Sequence, residues 1–122
     1  MISIIMPHII VENDSFIAYL EEKPLVLGHC SVFLKRKEDS FMDLTDDELS
    51  KILVFSKPIA QAIKKVVSCE KIGIASIGLQ LRQAHLHLVP IKSADDLNFT
   101  RAKLEISADE LQKMKSLIQK NL

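Results

Sequence analysis

Short apolar runs of strand length fill the first third of the chain, and a helical period takes over near Thr45. His8 to Glu12 and Phe16 to Leu20 are rich in Ile, Val, Phe and Tyr and are separated by Asn13-Asp14-Ser15, which is turn chemistry between two strands of a hairpin. Glu21-Glu22-Lys23-Pro24 breaks the pattern. Gly28 to Leu34 (GHCSVFL) resumes it as a third strand, up to the charged run Lys35 to Asp39. Leu49, Ile52, Leu53, Ile59, Ile63, Val66 and Val67 then recur near a 3.6-residue period, predicting one apolar stripe on a helix. Thr45-Asp46-Asp47-Glu48 reads as a capping box at its start, and Pro58 inside it predicts a bend. Lys71 to Gly78 (KIGIASIG) and Ala84 to Ile91 (AHLHLVPI) read as two further strands joined near Leu79 to Arg82. Ser93 to Arg101 is polar and irregular. Ser107-Ala108-Asp109-Glu110 is a second capping box, opening a terminal helix with Leu111, Met114, Leu117 and Ile118 on one side. The plan is β-β-β-α-β-β-α, an α+β fold with an antiparallel sheet covered on one face by the long helix.

Composition narrows the function classes. The 122 residues fit a single domain, 1–122, with 48% hydrophobic and 26% charged residues, an ordinary globular balance. Sixteen Lys plus Arg against sixteen Asp plus Glu leave a formal net charge of +0, so no broad positive field is available for nucleic acid or an anionic membrane. The opening MISIIMPHIIVEND is apolar but lacks a basic leader, is interrupted by Pro7 and turns polar at Glu12, which fits neither a signal peptide nor a spanning helix. Cys30 and Cys69 form no CxxC pair or disulfide framework, so a cytoplasmic location is expected.

Four histidines, His8, His29, His85 and His87, are the chemically distinctive residues. Strand alternation puts Gln83, His85 and His87 on one face and Ala84, Leu86 and Leu88 on the other, with the apolar set expected against the helix and the imidazoles on the open face. Imidazoles with an ordinary pKa of about 6.5 can act as nucleophile, proton donor or partner to an anion. The same pair also suits solvated histidines or a metal, but no carboxylate or cysteine at matching spacing completes a ligand set, and no metal or cofactor is expected. Cys30 falls on the strand face opposite His29 and reads as a small core residue.

Two motifs carry a resemblance. Gly78 to Pro90 (GLQLRQAHLHLVP) resembles the signature of the histidine triad (HIT) superfamily, alternating His and apolar residues before a Pro, with Gln83 in place of the first His. Phe16 to Lys35 is similar to the upstream motif of the same family: an aromatic-rich strand, an acidic residue, a Pro, then Gly-His and another strand. The likeness extends over roughly residues 8 to 120, including Phe41 to Leu49, and is nearest to a small bacterial branch.

That resemblance implies a five-stranded antiparallel sheet with two helices, a homodimer, and hydrolysis or transfer at the α-phosphate of a nucleotide. It places His85 as the nucleophile that becomes a covalent nucleotidyl-histidine. His87 would contact the phosphate and support the leaving group, with Gln83 at the first triad position. His29 would line the phosphate site, Glu21 would hold the ribose hydroxyls and Tyr19 would lie near the base. Ser76 or Ala75 stands where the family commonly has an Asn, Leu79 replaces a common Gln, and Gln80 follows it; Ser76 and Gln80 are the remaining nucleotide-binding candidates. Nucleoside phosphoramidates and dinucleoside polyphosphates are the implied substrates. The departures also admit a weakly active or non-catalytic nucleotide-binding module with the same fold.

Overall fold

The hairpin closes through its turn residues. Asn13 Oδ1 accepts from the amides of Ser15 and Phe16 at 2.9 and 2.8 Å, folding β1 (Ile9–Glu12) back on β2 (Phe16–Leu20) in this computed structural model, which describes residues 8–122. β3 (Cys30–Leu34), β4 (Lys71–Ala75) and β5 (His85–Ile91) complete one sheet of order β1-β2-β3-β5-β4, antiparallel at every pairing. The α+β architecture expected from the residue pattern is the one observed.

Alternation sorts the strands onto two faces. Phe16, Ala18, Leu20, Cys30, Val32, Leu34, Leu86 and Leu88 join the main core beneath α1 (Asp46–Val66) and α2 (Ala108–Lys120). Cys30 is a buried core residue, which burial pushes well above the usual thiol pKa. Ile17 and Phe33, fully buried, form a smaller cluster with Ile9 and Tyr19. The expected Thr45 capping box is present: Thr45 Oγ1 accepts from the Glu48 amide at 3.1 Å, and Glu48 accepts from the Thr45 amide at 2.9 Å.

The single long helix expected through Pro58 forms as α1, 21 residues long, while several other local expectations change. Pro58 lies on the exposed side, and the carbonyl it leaves unpaired belongs to exposed Val54, within reach of water. Leu53 is exposed, and Ser56 and Ala62 take buried positions instead; Ser56 Oγ satisfies itself on the Ile52 carbonyl at 2.7 Å. On α2 the buried stripe is Leu111, Met114 and Ile118, while Leu117 faces out. Ser107 accepts from the Glu110 amide at 3.1 Å. β4 stops at Ala75 rather than Gly78, where a loop through Arg82 begins, and residues 94–97 form a short 3₁₀ turn capped by Ser93 and Asp96. No helix among the described residues is long and apolar enough to cross a membrane.

Candidate active site

Register, more than sequence spacing, assembles the site. Tyr19 pairs with Ser31 and Ser31 with His87, while Ile17 pairs with Phe33 and Phe33 with His85. These residues form two adjacent rows across β2, β3 and β5 on the sheet face away from the main core. One step further along, the Glu21 amide donates to the His29 carbonyl at 2.9 Å, bringing both residues onto the same face. Gly28, with φ +100°, turns the chain into β3 just before His29; a Cβ there would lie 2.8 Å from Val67 Cγ2.

The face is not open. His29 and His85 are buried, His87 is half-buried, and Phe33 lies flat on His85 with centroids 4.3 Å apart. The alternation is correct, but the expected exposure is not, because aromatic residues cover the imidazoles. His85 reaches solvent through a cleft of about 420 Å³ lined by Ser76, Gly78, Leu79, Arg82, Phe41 and Met42 among others.

Hydrogen bonds assign the tautomers. The Leu25 amide donates to His29 Nδ1 at 3.1 Å, so the His29 proton resides on Nε2. That N–H points at His87 Nδ1, 2.9 Å away, and donates to it. The Ser31 hydroxyl, 3.0 Å from the same nitrogen, gives its single proton to Glu21 Oε2 at 2.6 Å. His87 therefore carries its proton on Nε2. His85 is the reverse: its Nδ1 lies 2.6 Å from the Gln83 carbonyl, which can only accept, so Nδ1 is protonated and Nε2 holds a free lone pair. Burial, the largest cause in each case, lowers all three pKa values below the usual range, His29 and His87 to about 3. All three rings are neutral at pH 7.

Gln83 holds the His85 proton through its backbone carbonyl. Its side chain is engaged elsewhere, donating to the carbonyls of Leu34 and Arg36, both at 2.7 Å. Ser76 Oγ donates to the His85 carbonyl at 2.6 Å and so braces the strand from the cleft side. Tyr19 packs on Phe33 at 5.5 Å, and burial followed by the Glu21 charge raises its phenol pKa. Gln80 is exposed in the 76–84 loop and lies outside the cleft lining. His8 contributes its carbonyl to the Leu20 amide at 2.8 Å.

Ser31 was not among the residues singled out from the sequence, although alternation from His29 puts it on the same strand face. A carboxylate also arrives without sequence spacing to announce it. Glu21, His29 and His87 bring potential donor atoms within 4.8 Å of one another, correcting the expectation that no carboxylate completes a ligand set. A cation on His29 Nε2 would require the ring proton to move to Nδ1, where the Leu25 amide already donates. The present hydrogen bonds therefore define a proton-ordered chain rather than a cation cage.

Comparisons with known proteins agree with this architecture. A family model for the HIT domain matches residues 5–94, and the chain belongs to that family. An uncharacterized HIT-like protein of Borreliella burgdorferi is 26% identical, over 93% of this chain and 87% of its own length. A bis(5'-nucleosyl)-tetraphosphatase (asymmetrical) of Schizosaccharomyces pombe is 32% identical over 64% of this chain, a match spanning 46% of that enzyme. A HIT-like protein of Bartonella henselae superposes with a TM-score of 0.79 at 20% identity, covering 98% of this chain and 90% of its own.

Proposed function

We propose that the protein is a nucleotide-binding hydrolase or transferase that attacks the α-phosphate of a nucleotide derivative through His85. The observation carrying this reading is the opposed tautomer pair: a free lone pair on His85 Nε2 and an N–H on His87 Nε2, on neighbouring positions of one strand face. His85 Nε2 forms a bond to phosphorus while the bond to the leaving group breaks, its electrons departing with that group. Water then attacks the phosphohistidine, giving up a proton, and the electrons of the P–N bond return to His85. His87 Nε2–H donates to phosphoryl oxygen as charge develops. Glu21 would hold the ribose hydroxyls and Tyr19 would lie near the base, the roles that the family resemblance implies for them.

Neutral imidazoles are poor proton donors to a departing amine. A dinucleoside polyphosphate, whose leaving group departs as a phosphate anion, therefore suits the site better than a phosphoramidate. His85→Ala should lower turnover of a dinucleoside polyphosphate about a thousandfold or more, and unchanged turnover would overturn the nucleophile assignment. The 5% exposure of His85 supports a second reading, a binding module without turnover. Nucleotide binding by calorimetry with no hydrolysis across a substrate panel would select it.

The family resemblance also supports a homodimer. β4 is a sheet edge, and Ile74 on it is 57% exposed, so we infer pairing with a second copy there. Sedimentation should give twice the chain mass for the wild type and less for Ile74→Lys; a monomeric wild type contradicts it.

A further inference from the structure

The segment following the 94–97 turn crosses the histidine face and lies beyond the residues matched to the family. The Phe99 ring stands 4.7 Å from that of His87 and edge-on to His29 at 6.0 Å. Lys103 Nζ lies 5.7 Å from the Phe99 ring centroid and donates to the Phe99 carbonyl at 3.0 Å. The segment is tied to the loop that carries His29. The Leu104 amide donates to the Pro24 carbonyl at 2.8 Å, and Arg101 donates to the Leu25 carbonyl at 3.0 Å.

The charges around the site make Lys103 distinctive. Arg101 is engaged by Asp95 and Asp96, at 3.2 and 3.4 Å. Lys103 pairs with no carboxylate among the described residues. The imidazoles are neutral, and Glu21 adds a negative charge nearby, so a phosphate entering this face meets no cation from the strands; Arg82, in the cleft beside His85, is paired with Asp39 at 3.9 Å. The Lys103 charge is already felt there, being among the causes that hold His29 and His87 neutral.

We propose that Lys103 is the cation of the phosphate site, carried over His87 by Phe99, and that it ion-pairs with non-bridging phosphoryl oxygens of the substrate. This deepens the nucleotide reading and rests on it for the identity of the remainder of the ligand. The recognised chemistry is a multiply charged phosphate, and the 98–104 segment supplies a charge that the strands lack.

Calorimetry of adenosine, adenosine 5'-monophosphate and inorganic pyrophosphate against the wild type, Lys103→Met and Lys103→Arg tests this. Lys103→Met should weaken the monophosphate and pyrophosphate about five- to tenfold and leave adenosine unchanged, while Lys103→Arg recovers most of the loss. Equal monophosphate affinity in wild type and Lys103→Met overturns the Lys103 assignment and leaves the nucleotide reading standing. An equal loss for adenosine also overturns it, by showing a structural role. Lys103-dependent pyrophosphate binding without adenosine or monophosphate binding upholds the anion site and removes the nucleotide reading. No binding of any of the three to the wild type overturns both.

Discussion

The two faces of β5 do different work with alternate residues of one strand. Leu86 and Leu88 enter the apolar core under the helices, where shape and volume decide the outcome; His85 and His87 enter the opposite face, where each ring proton has an assigned place. A core face tolerates apolar exchange that keeps the volume at a modest cost, because dispersion and burial are non-directional. The opposite face has no such latitude, since moving the His29 proton to Nδ1 would set two donors against each other at the Leu25 amide and two acceptors against each other at His87. Stability and the proposed chemistry are thereby separated by the thickness of a sheet.

Adjacent substitutions break the comparison most sharply. His85→Ala should remove turnover about a thousandfold or more, while Leu86→Ala should cost about 2–5 kcal/mol of stability and retain turnover per folded molecule. Urea unfolding beside steady-state kinetics separates the two, and equal losses of both quantities in both variants would refute the division of labour.

Acid should discriminate the faces next. His29 and His87 have folded-state pKa values near 3 against an ordinary 6.5, so the unfolded chain binds protons that the fold refuses. Their contribution is complete above pH 6.5 and is lost as pH falls toward 3, at up to about 1.4 kcal/mol per pH unit for each histidine. Urea midpoints at pH 7 and 5 should therefore differ, and His29→Asn should flatten the dependence. A wild type as stable at pH 5 as at pH 7 would contradict the buried neutral rings.

Smaller effects sharpen the supports of the histidine face. Gln83→Ala removes two donors from the Leu34 and Arg36 carbonyls and should cost about 1–3 kcal/mol, with activity per folded molecule reduced far less than by His85→Ala. Gly28→Ala, at positive φ and facing Val67, should cost about 1–2 kcal/mol; both are read from thermal or urea melts.

Much of this arrangement was legible in the residues. Period-2 alternation at His85 to Pro90 sorted the two faces correctly, and Thr45 to Glu48 located the start of the long helix. Burial of the imidazoles was not legible. It depends on Phe33 from a neighbouring strand and on Phe99 from a loop, and neither relation has a sequence period. The family resemblance pointed to Glu21, but its link to Ser31 follows from strand register. Lys103 lay outside every periodic segment, placed by the ties of its neighbours to Pro24 and Leu25. The neutral overall charge pointed to anion recognition by the imidazoles; the proposed Lys103 role adds one cation to that picture.

The tautomers themselves are the most direct test. Long-range ¹H–¹⁵N correlation of the imidazole rings at pH 7 should show His85 protonated on Nδ1 with a bare Nε2, and His29 and His87 protonated on Nε2. A protonated His85 Nε2, or an imidazolium at any of the three positions, would contradict the account.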